Sequence, residues 1–433
     1  MHKAKHFLSN TLSLSRLNKV FQITCALFIG ILPIFTGNIL FDEQSWYQGR
    51  YINYFQIRLT LHFIVACIVI GLWAYKKVSE KNLKAPIVGF GIIVALLIYN
   101  MLIAQSQGIL SAKLHLASTW NLFEFLVFWA AMGIALTHIL QEKSTQRILI
   151  PIIVSSLLFQ VAVASAQLIE QGPAFSSFLT AFGQPPRFES FTYVGIHIFP
   201  RVYGTTPHPN ILAAIMTFFA GIGLFLSTSR LQKIVITLLS GFIVVGTLSR
   251  TGIMAFLIVI AIFLLQKLSF RYLQKANWLK KPLILTVALL LFYVLSGIMI
   301  AFLPHEAVPL PYFLESRAML QDAYVRFMVQ FPHIWVFGTG FLGSIPLLFQ
   351  QYDTLPFSLL LENSFLFDVP HHFGTLLHNE LGIIGCTSIF ILIARWFSRN
   401  FAEHAENKNL TLFLAVLLGI FLLFGTFDHF LIY

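Results

Sequence analysis

Residues Lys280–Leu303 read KKPLILTVALLLFYVLSGIMIAFL. After the two lysines this stretch holds no charged side chain, and a helix rising about 1.5 Å per residue from 282 to 303 spans the roughly 30 Å of a hydrocarbon core. Runs of the same character recur at about 20–41, 56–75, 85–104, 120–140, 148–169, 210–228, 234–248, 251–267, 376–396 and 410–427, each bounded by charged or Pro/Gly-rich residues. With 57% of the 433 residues hydrophobic and only 10% charged, no soluble core could enclose the apolar surface. Closed β-barrels are excluded as well, because their strands alternate apolar and polar residues. The expected fold is all-α, a polytopic transmembrane helical bundle of about eleven spans.

Basic residues give these spans a direction. Lys3, Lys5, Arg16 and Lys19 precede the first run, and alternate connections carry Lys76, Lys77, Lys81 and Lys84, then Lys143 and Arg147, then Arg230 and Lys233. Lys267, Arg271, Lys275, Lys280 and Lys281 follow, and last Arg395, Arg399 and Lys408. Positive residues stay on the cytoplasmic side, so the amino terminus is expected there. The expected location is a bacterial inner (plasma) membrane, crossed many times. Basic residues meeting anionic lipid account for the net charge of +11, so no nucleic-acid partner is expected. The first run is too long for a signal peptide and lacks a small-residue cleavage site, so it reads as a retained helix. Cys25, Cys67 and Cys386 fall within apolar runs and read as inert thiols, not as disulfides or metal ligands.

On this topology the chain divides into amino-terminal transmembrane helices, 1–169, and a second region, 170–433, with two long outer, periplasmic loops at 170–209 and 304–375. The larger is expected to contain short helices. Connections of such length are uncommon unless functional. At the end of the first loop, RVYGTTPHPNILAA begins at Arg201, with Pro207, His208, Pro209 and Asn210 leading into an apolar helix. Proline in a first turn marks a helix start, whose unpaired amides favour an anion. Arg201 can face phosphate there, or it can snorkel to lipid headgroups. Arg250, in TLSRTGIMAF, sits between two runs so close together that the turn scarcely leaves the membrane; such an arginine lines a wet cavity or is paired structurally.

In the larger loop ESRAMLQDAYVRFMVQFPHIWVFGTGF carries Arg317 and Arg326 and ends in Gly338-Thr339-Gly340. Met319, Ala323, Phe327 and Gln330 share one side of a helix there, while Arg317 and Arg326 fall on different parts of its surface; taken alone, the segment reads as an interfacial helix docking on lipid. VPHHFGTLLHNELGIIG then brings His371, His372, His378 and Glu380 to the start of the tenth run. No pair among these has the i,i+4 spacing of helical zinc ligands, so no metal is expected. A histidine at an outer helix start can serve as a general base.

These four segments, in this order, resemble the O-antigen ligase and O-antigen polymerase superfamily of bacterial multispanning glycosyltransferases. RVYGTTPHPNILAA looks like the family's arginine-to-His-Pro-Asn segment, TLSRTG like its Ser-Arg-x-Gly turn, and the ESRAM segment like its arginine loop ending in Gly-x-Gly. In VPHHFGTLLHNELGIIG the family's histidine falls on His371, its glutamate on Glu380 and its glycines on Gly382 and Gly385; His372 replaces the usual asparagine. GTFDHFLIY is similar to a Phe-Asp-His segment of some members. The resemblance covers roughly 195–430.

The resemblance implies metal-independent, inverting transfer of a glycan from an undecaprenyl-diphosphate carrier to an acceptor hydroxyl on the periplasmic face, with no cofactor. Arg201, Arg250, Arg317 and Arg326 would bind diphosphate, and His371 and Glu380 would be the catalytic pair, His371 acting on the acceptor hydroxyl and Glu380 supporting it. The implied partners are the lipid-linked donor, a lipid or glycan acceptor such as lipid A core, and membrane lipid. A polymerase shares this donor. A transporter or flippase of anionic lipid-linked glycans, and a membrane scaffold, are the readings from other classes.

Overall fold

A computed structural model describes residues 14–34, 37–41, 46–47, 50–51, 57–107, 112–170, 191–194, 197–206, 208–301, 331–341, 343 and 372–427. The amino-terminal part contains α1 (Leu14–Gly30), β1 (Gly37–Phe41), β2 (Trp46–Tyr47), β3 (Arg50–Tyr51) and β4 (Ile57–Thr60), followed by α2 (Leu61–Ser79), α3 (Lys84–Gln107), α4 (Ala112–Gln141) and α5 (Lys143–Glu170). Next come β5 (Phe191–Val194), β6 (His197–Pro200), α6 (Pro209–Leu226), α7 (Arg230–Gly246), α8 (Arg250–Leu264) and α9 (Gln266–Lys275). A 3₁₀ turn at Asn277–Lys280 leads to α10 (Pro282–Ala301), α11 (Pro332–Phe337), α12 (Phe373–Glu403) and α13 (Lys408–Phe427). The strands form only two-stranded pieces, β1 with β4, β2 with β3 and β5 with β6.

Among the described residues, seven helices are long and apolar enough to cross a membrane: those in α2, α3, α4, α5, α6, α12 and α13. The chain is thus an all-α polytopic membrane protein. Their surfaces fit that reading, since Phe90 and Leu102 are 70% and 62% exposed while Glu380, Gln160 and Asn100 are buried. Such a distribution suits lipid outside and satisfied polar groups inside.

Helix ends depart from the expected runs for local reasons. The first run was expected to continue as helix to 41, but α1 ends at Gly30, residues 31–33 form a turn, and 37–41 is the strand β1. Proline has no N–H to continue the ladder and disfavours helix in the residue before it. The second run starts later than expected because 57–60 is strand and Thr60 caps α2, its side chain accepting from the Phe63 N–H at 3.1 Å.

The chain forms two compact units, one of 1–38, 59–93 and 126–265, the other of 39–58, 94–125 and 266–433. In the first unit α6 is the central helix, packed against α5, α7 and α8 and buried along its whole apolar length. In the second, α12 is central, packed against α10, α11 and α13. Tyr293 of α10 fills its core: the ring meets His372, Phe373, Phe390 and Phe421 at centroid distances of 5.4, 6.1, 5.0 and 6.1 Å, and its hydroxyl donates to the Phe421 carbonyl at 3.2 Å.

Candidate functional site

In the first unit the segment holding Arg201 is stitched to the turn before α8. The Val202 N–H donates to the Gly246 carbonyl at 2.9 Å. Arg201 Nε donates to the Thr247 carbonyl at 2.9 Å and Nη2 to Asn210 Oδ1 at 3.0 Å. Nε and Nη2 of one planar guanidinium are thereby each tied to a different acceptor, which sets the plane of the half-exposed group. Asn210 lies in the first turn of α6, and its own N–H donates to Nδ1 of the capping residue His208 at 3.1 Å.

Two glutamines of α5 hold the intervening loop. Gln160 accepts from the Thr205 N–H at 3.2 Å and donates to Thr205 Oγ1 at 2.6 Å. Gln167 accepts from the Gly204 N–H and donates to the Gly204 carbonyl, both at 3.0 Å. Thr205 Oγ1 donates in turn to the Pro33 carbonyl at 2.6 Å. A non-helical loop beside a membrane core needs this satisfaction, because lipid offers no partner for its backbone.

Arg250 opens α8 and is exposed. Ser249 caps that helix, its hydroxyl accepting from the Gly252 N–H at 3.1 Å. Leu248, immediately before the cap, has φ 50°, a left-handed backbone that costs a branched side chain about 1–3 kcal/mol. A Cβ on Gly252 would collide with Cβ of Ala213, so the glycine is what lets α8 approach α6 beside Arg250.

In the second unit α12 is broken. Gly382 has φ 62° and ψ −177°, which leaves the carbonyls before it without the amides of a continuing helix. Gly338-Thr339-Gly340 supplies the partners: the Thr339 N–H donates to the Asn379 carbonyl and the Gly340 N–H to the Glu380 carbonyl, each at 2.9 Å. Tyr99 Oη donates to the carbonyls of Leu381 and Phe337, both at 3.2 Å. The approach requires glycine on both sides. A Cβ on Gly338 would lie 2.5 Å from the Glu380 oxygen, and one on Gly382 would overlap the Val336 carbonyl.

Glu380 is fully buried, and its Oε2 accepts from the Gly343 N–H at 2.9 Å. Asn100 Oδ1 accepts from the Phe341 N–H at 2.6 Å, extending the same clasp. Asn379 is also buried; its Nδ2 donates to the Thr375 carbonyl at 2.9 Å, and Oδ1 has no partner among the described residues.

Helix α12 starts three residues before the expected 376, because His372 caps it. The Thr375 N–H donates to His372 Nδ1 at 3.1 Å, so the ring proton resides on Nε2, which donates to Ser296 Oγ at 3.0 Å; Ser296 Oγ passes a hydrogen bond to the Phe292 carbonyl at 2.7 Å. Burial lowers the His372 pKa from 6.5 to about 4. His378 Nε2 donates to the Trp335 carbonyl at 3.0 Å, satisfying the end of α11. Both histidines therefore have structural duties.

Of the expected site residues, Arg201 and Arg250 lie on bonded segments of the first unit and Glu380 lies in the second. Arg317, Arg326 and His371 fall outside the described residues. Sequence reading missed Thr247, Gln160 and Gln167 as partners of the Arg201 segment. Two glutamines within one apolar run, spaced to share a helix face, were the available signal. No three His, Cys, Asp or Glu side chains converge among the described residues as a cation would need. Comparison with known proteins gives no match to a family model, a curated protein or a solved structure.

Proposed function

We propose that the chain is a multi-pass inner-membrane glycosyltransferase of the O-antigen ligase or polymerase type, with eleven spans, a cytoplasmic amino terminus and a periplasmic active site. The observation that carries this reading is Arg201: a half-exposed guanidinium anchored through Nε and Nη2 to Thr247 and Asn210, in a segment bonded to the turn that presents Arg250. An arginine tied at the rim of an apolar helix presents fixed positive charge where a lipid diphosphate arrives.

In the proposed reaction the acceptor hydroxyl oxygen attacks the anomeric carbon from the face opposite the diphosphate. The new glycosidic bond forms as the bond to the carrier breaks, His371 takes the hydroxyl proton, and undecaprenyl diphosphate leaves with the electron pair. Arg201, Arg250 and Arg317, with Arg326 in reserve, stabilise the charge that grows on this leaving group; each charged hydrogen bond contributes roughly 1.5–3 kcal/mol. Glu380 acts at one remove, by holding the turn at Gly343 against α12. Lipid A core or a related acceptor makes the enzyme a ligase, and a lipid-linked repeat unit makes it a polymerase.

Purified protein in lipid, given an undecaprenyl-diphosphate glycan and each acceptor in turn, should form glycosylated product without added metal or nucleotide sugar. Arg250→Ala and His371→Ala should each abolish product. Full activity in either variant removes that residue from the mechanism, and an absence of donor turnover with every acceptor removes the reading.

A further inference from the structure

The amphipathic helix α9 and the 3₁₀ turn behind it lie outside both candidate segments. Residues 266–281 read QKLSFRYLQKANWLKK, with Lys267, Arg271, Lys275, Lys280 and Lys281 and no acidic residue. Ten helical residues extend about 15 Å, half a hydrocarbon core, so α9 is no span.

Its two sides differ sharply. Gln266, Ser269, Phe270 and Leu273 are half-buried and recur at the i, i+3, i+4, i+7 spacing of one helix face. That is the face turned to the protein, where α9 packs on α13. The opposite side is exposed: Lys267, Arg271 and Lys275 form one stripe at four-residue spacing, and Leu268 and Tyr272, 66% and 73% exposed, form the stripe beside it. Trp278 is also exposed in the following turn, and Lys280 and Lys281 stand immediately before the lipid-facing start of α10.

We infer that α9 and the 3₁₀ turn form a docking surface for anionic phospholipid, with Lys267, Arg271 and Lys275 on the headgroup phosphates and Leu268 and Tyr272 in the upper acyl layer. Exposed apolar residues beside an unbroken basic stripe suit an interface that is apolar on one side and negatively charged on the other. A second protein with an acidic surface would match the lysines but leave Leu268 and Tyr272 without the acyl layer beside which α10 begins. Trp278 adds the indole that favours headgroup depth. This surface is independent of glycosyl transfer.

The test uses the full chain in micelles containing equal amounts of phosphatidylglycerol and phosphatidylcholine, followed by native mass spectrometry. The wild type should retain phosphatidylglycerol in preference. The variant Lys267→Gln/Arg271→Gln/Lys275→Gln should lower the ratio of the two adducts by at least about fivefold, the factor expected for a single such charge. Lys76→Gln/Lys77→Gln/Lys81→Gln, in another basic connection, should leave most of the preference in place. An unchanged ratio in the first variant, or an equal loss in the second, overturns the inference.

A label at Tyr272→Cys, in a Cys67→Ser background that removes the exposed native thiol, gives a second readout in nanodiscs. It should meet dissolved oxygen more readily than a water-soluble nickel chelate. Greater contact with the chelate, or shielding that appears only when two copies share a disc, places water or a second chain on this face instead of lipid. Neither measurement contains a glycan donor, so failure here and failure of the transferase reading are separate results.

Discussion

Substituting Gly382 by alanine tests the clasp at the broken helix. At φ 62° and ψ −177° a residue with a Cβ incurs about 1–3 kcal/mol of backbone strain. The added methyl would also overlap the Val336 carbonyl, so α12 and the Gly338 turn must separate. Separation breaks the bonds from the Thr339 and Gly340 amides, at about 0.5–1.5 kcal/mol net each. The total, about 2–6 kcal/mol, is a large part of the 5–15 kcal/mol that holds a typical domain folded. Thermal unfolding in detergent should show a lower midpoint, and the amides of Thr339 and Gly340 should exchange faster with deuterium. Gly338→Ala should act alike, and the double variant should cost less than the sum, because both methyls force open the same gap. Wild-type melting and exchange in Gly382→Ala would refute the claim that this glycine pair sets the contact.

Arg201→Lys should impair glycan transfer nearly as much as Arg201→Ala, since an ammonium cannot reproduce the planar two-point attachment to Thr247 and Asn210; transfer assays on folded protein decide it. Glu380→Ala should destabilise by about 0.5–1.5 kcal/mol by removing one of the two acceptors of the buried Gly343 amide, which also donates to the Gly340 carbonyl at 2.8 Å, whereas Glu380→Gln keeps that acceptor and should melt closer to wild type. His372 contributes a pH dependence whose sign is fixed. Its folded pKa lies below its unfolded value, so its contribution is complete above about pH 6.5 and is lost as pH falls towards about 4. The loss is roughly 2 kcal/mol by pH 5. Melting curves between pH 7.5 and 5 should be flatter for His372→Asn, which keeps a capping acceptor but does not titrate.

Hydropathy made the helices legible, because an apolar run long enough to cross a bilayer has few alternatives. Helix ends were less so: Pro33 stopped α1 where the apolar character of Ile34 and Phe35 suggested continuation. Gly382 was visible as a glycine in a pattern, but its role depends on Gly338 in a distant segment, and no local window holds both. His371 and His372 posed a similar problem. Adjacent histidines at a helix start look interchangeable, and only the reach of His372 to Thr375 and Ser296 identifies the capping residue. Leu248 gave no warning of its left-handed backbone, since nothing in leucine favours that conformation.

Both polar loci arise where helices start or break, and membrane physics explains why. A helix interior satisfies its own backbone, so an apolar run needs no polar side chain; a start leaves amides open and a break leaves carbonyls open, and lipid satisfies neither. Gln160 and Gln167 at the Arg201 loop, and Tyr99 and Asn100 at the Gly338 turn, meet that demand. Most buried polar side chains at these two places are thereby committed to holding backbone. Arg201 belongs to both categories, since its Nε and Nη2 hold the start of α6 to the start of α8 while the group remains partly exposed. Charge held this rigidly requires little reorganisation when an anion arrives, which is what stabilising a leaving diphosphate demands. Loosening the loop through Gln160→Ala or Gln167→Ala should therefore weaken transfer without touching any group in contact with donor.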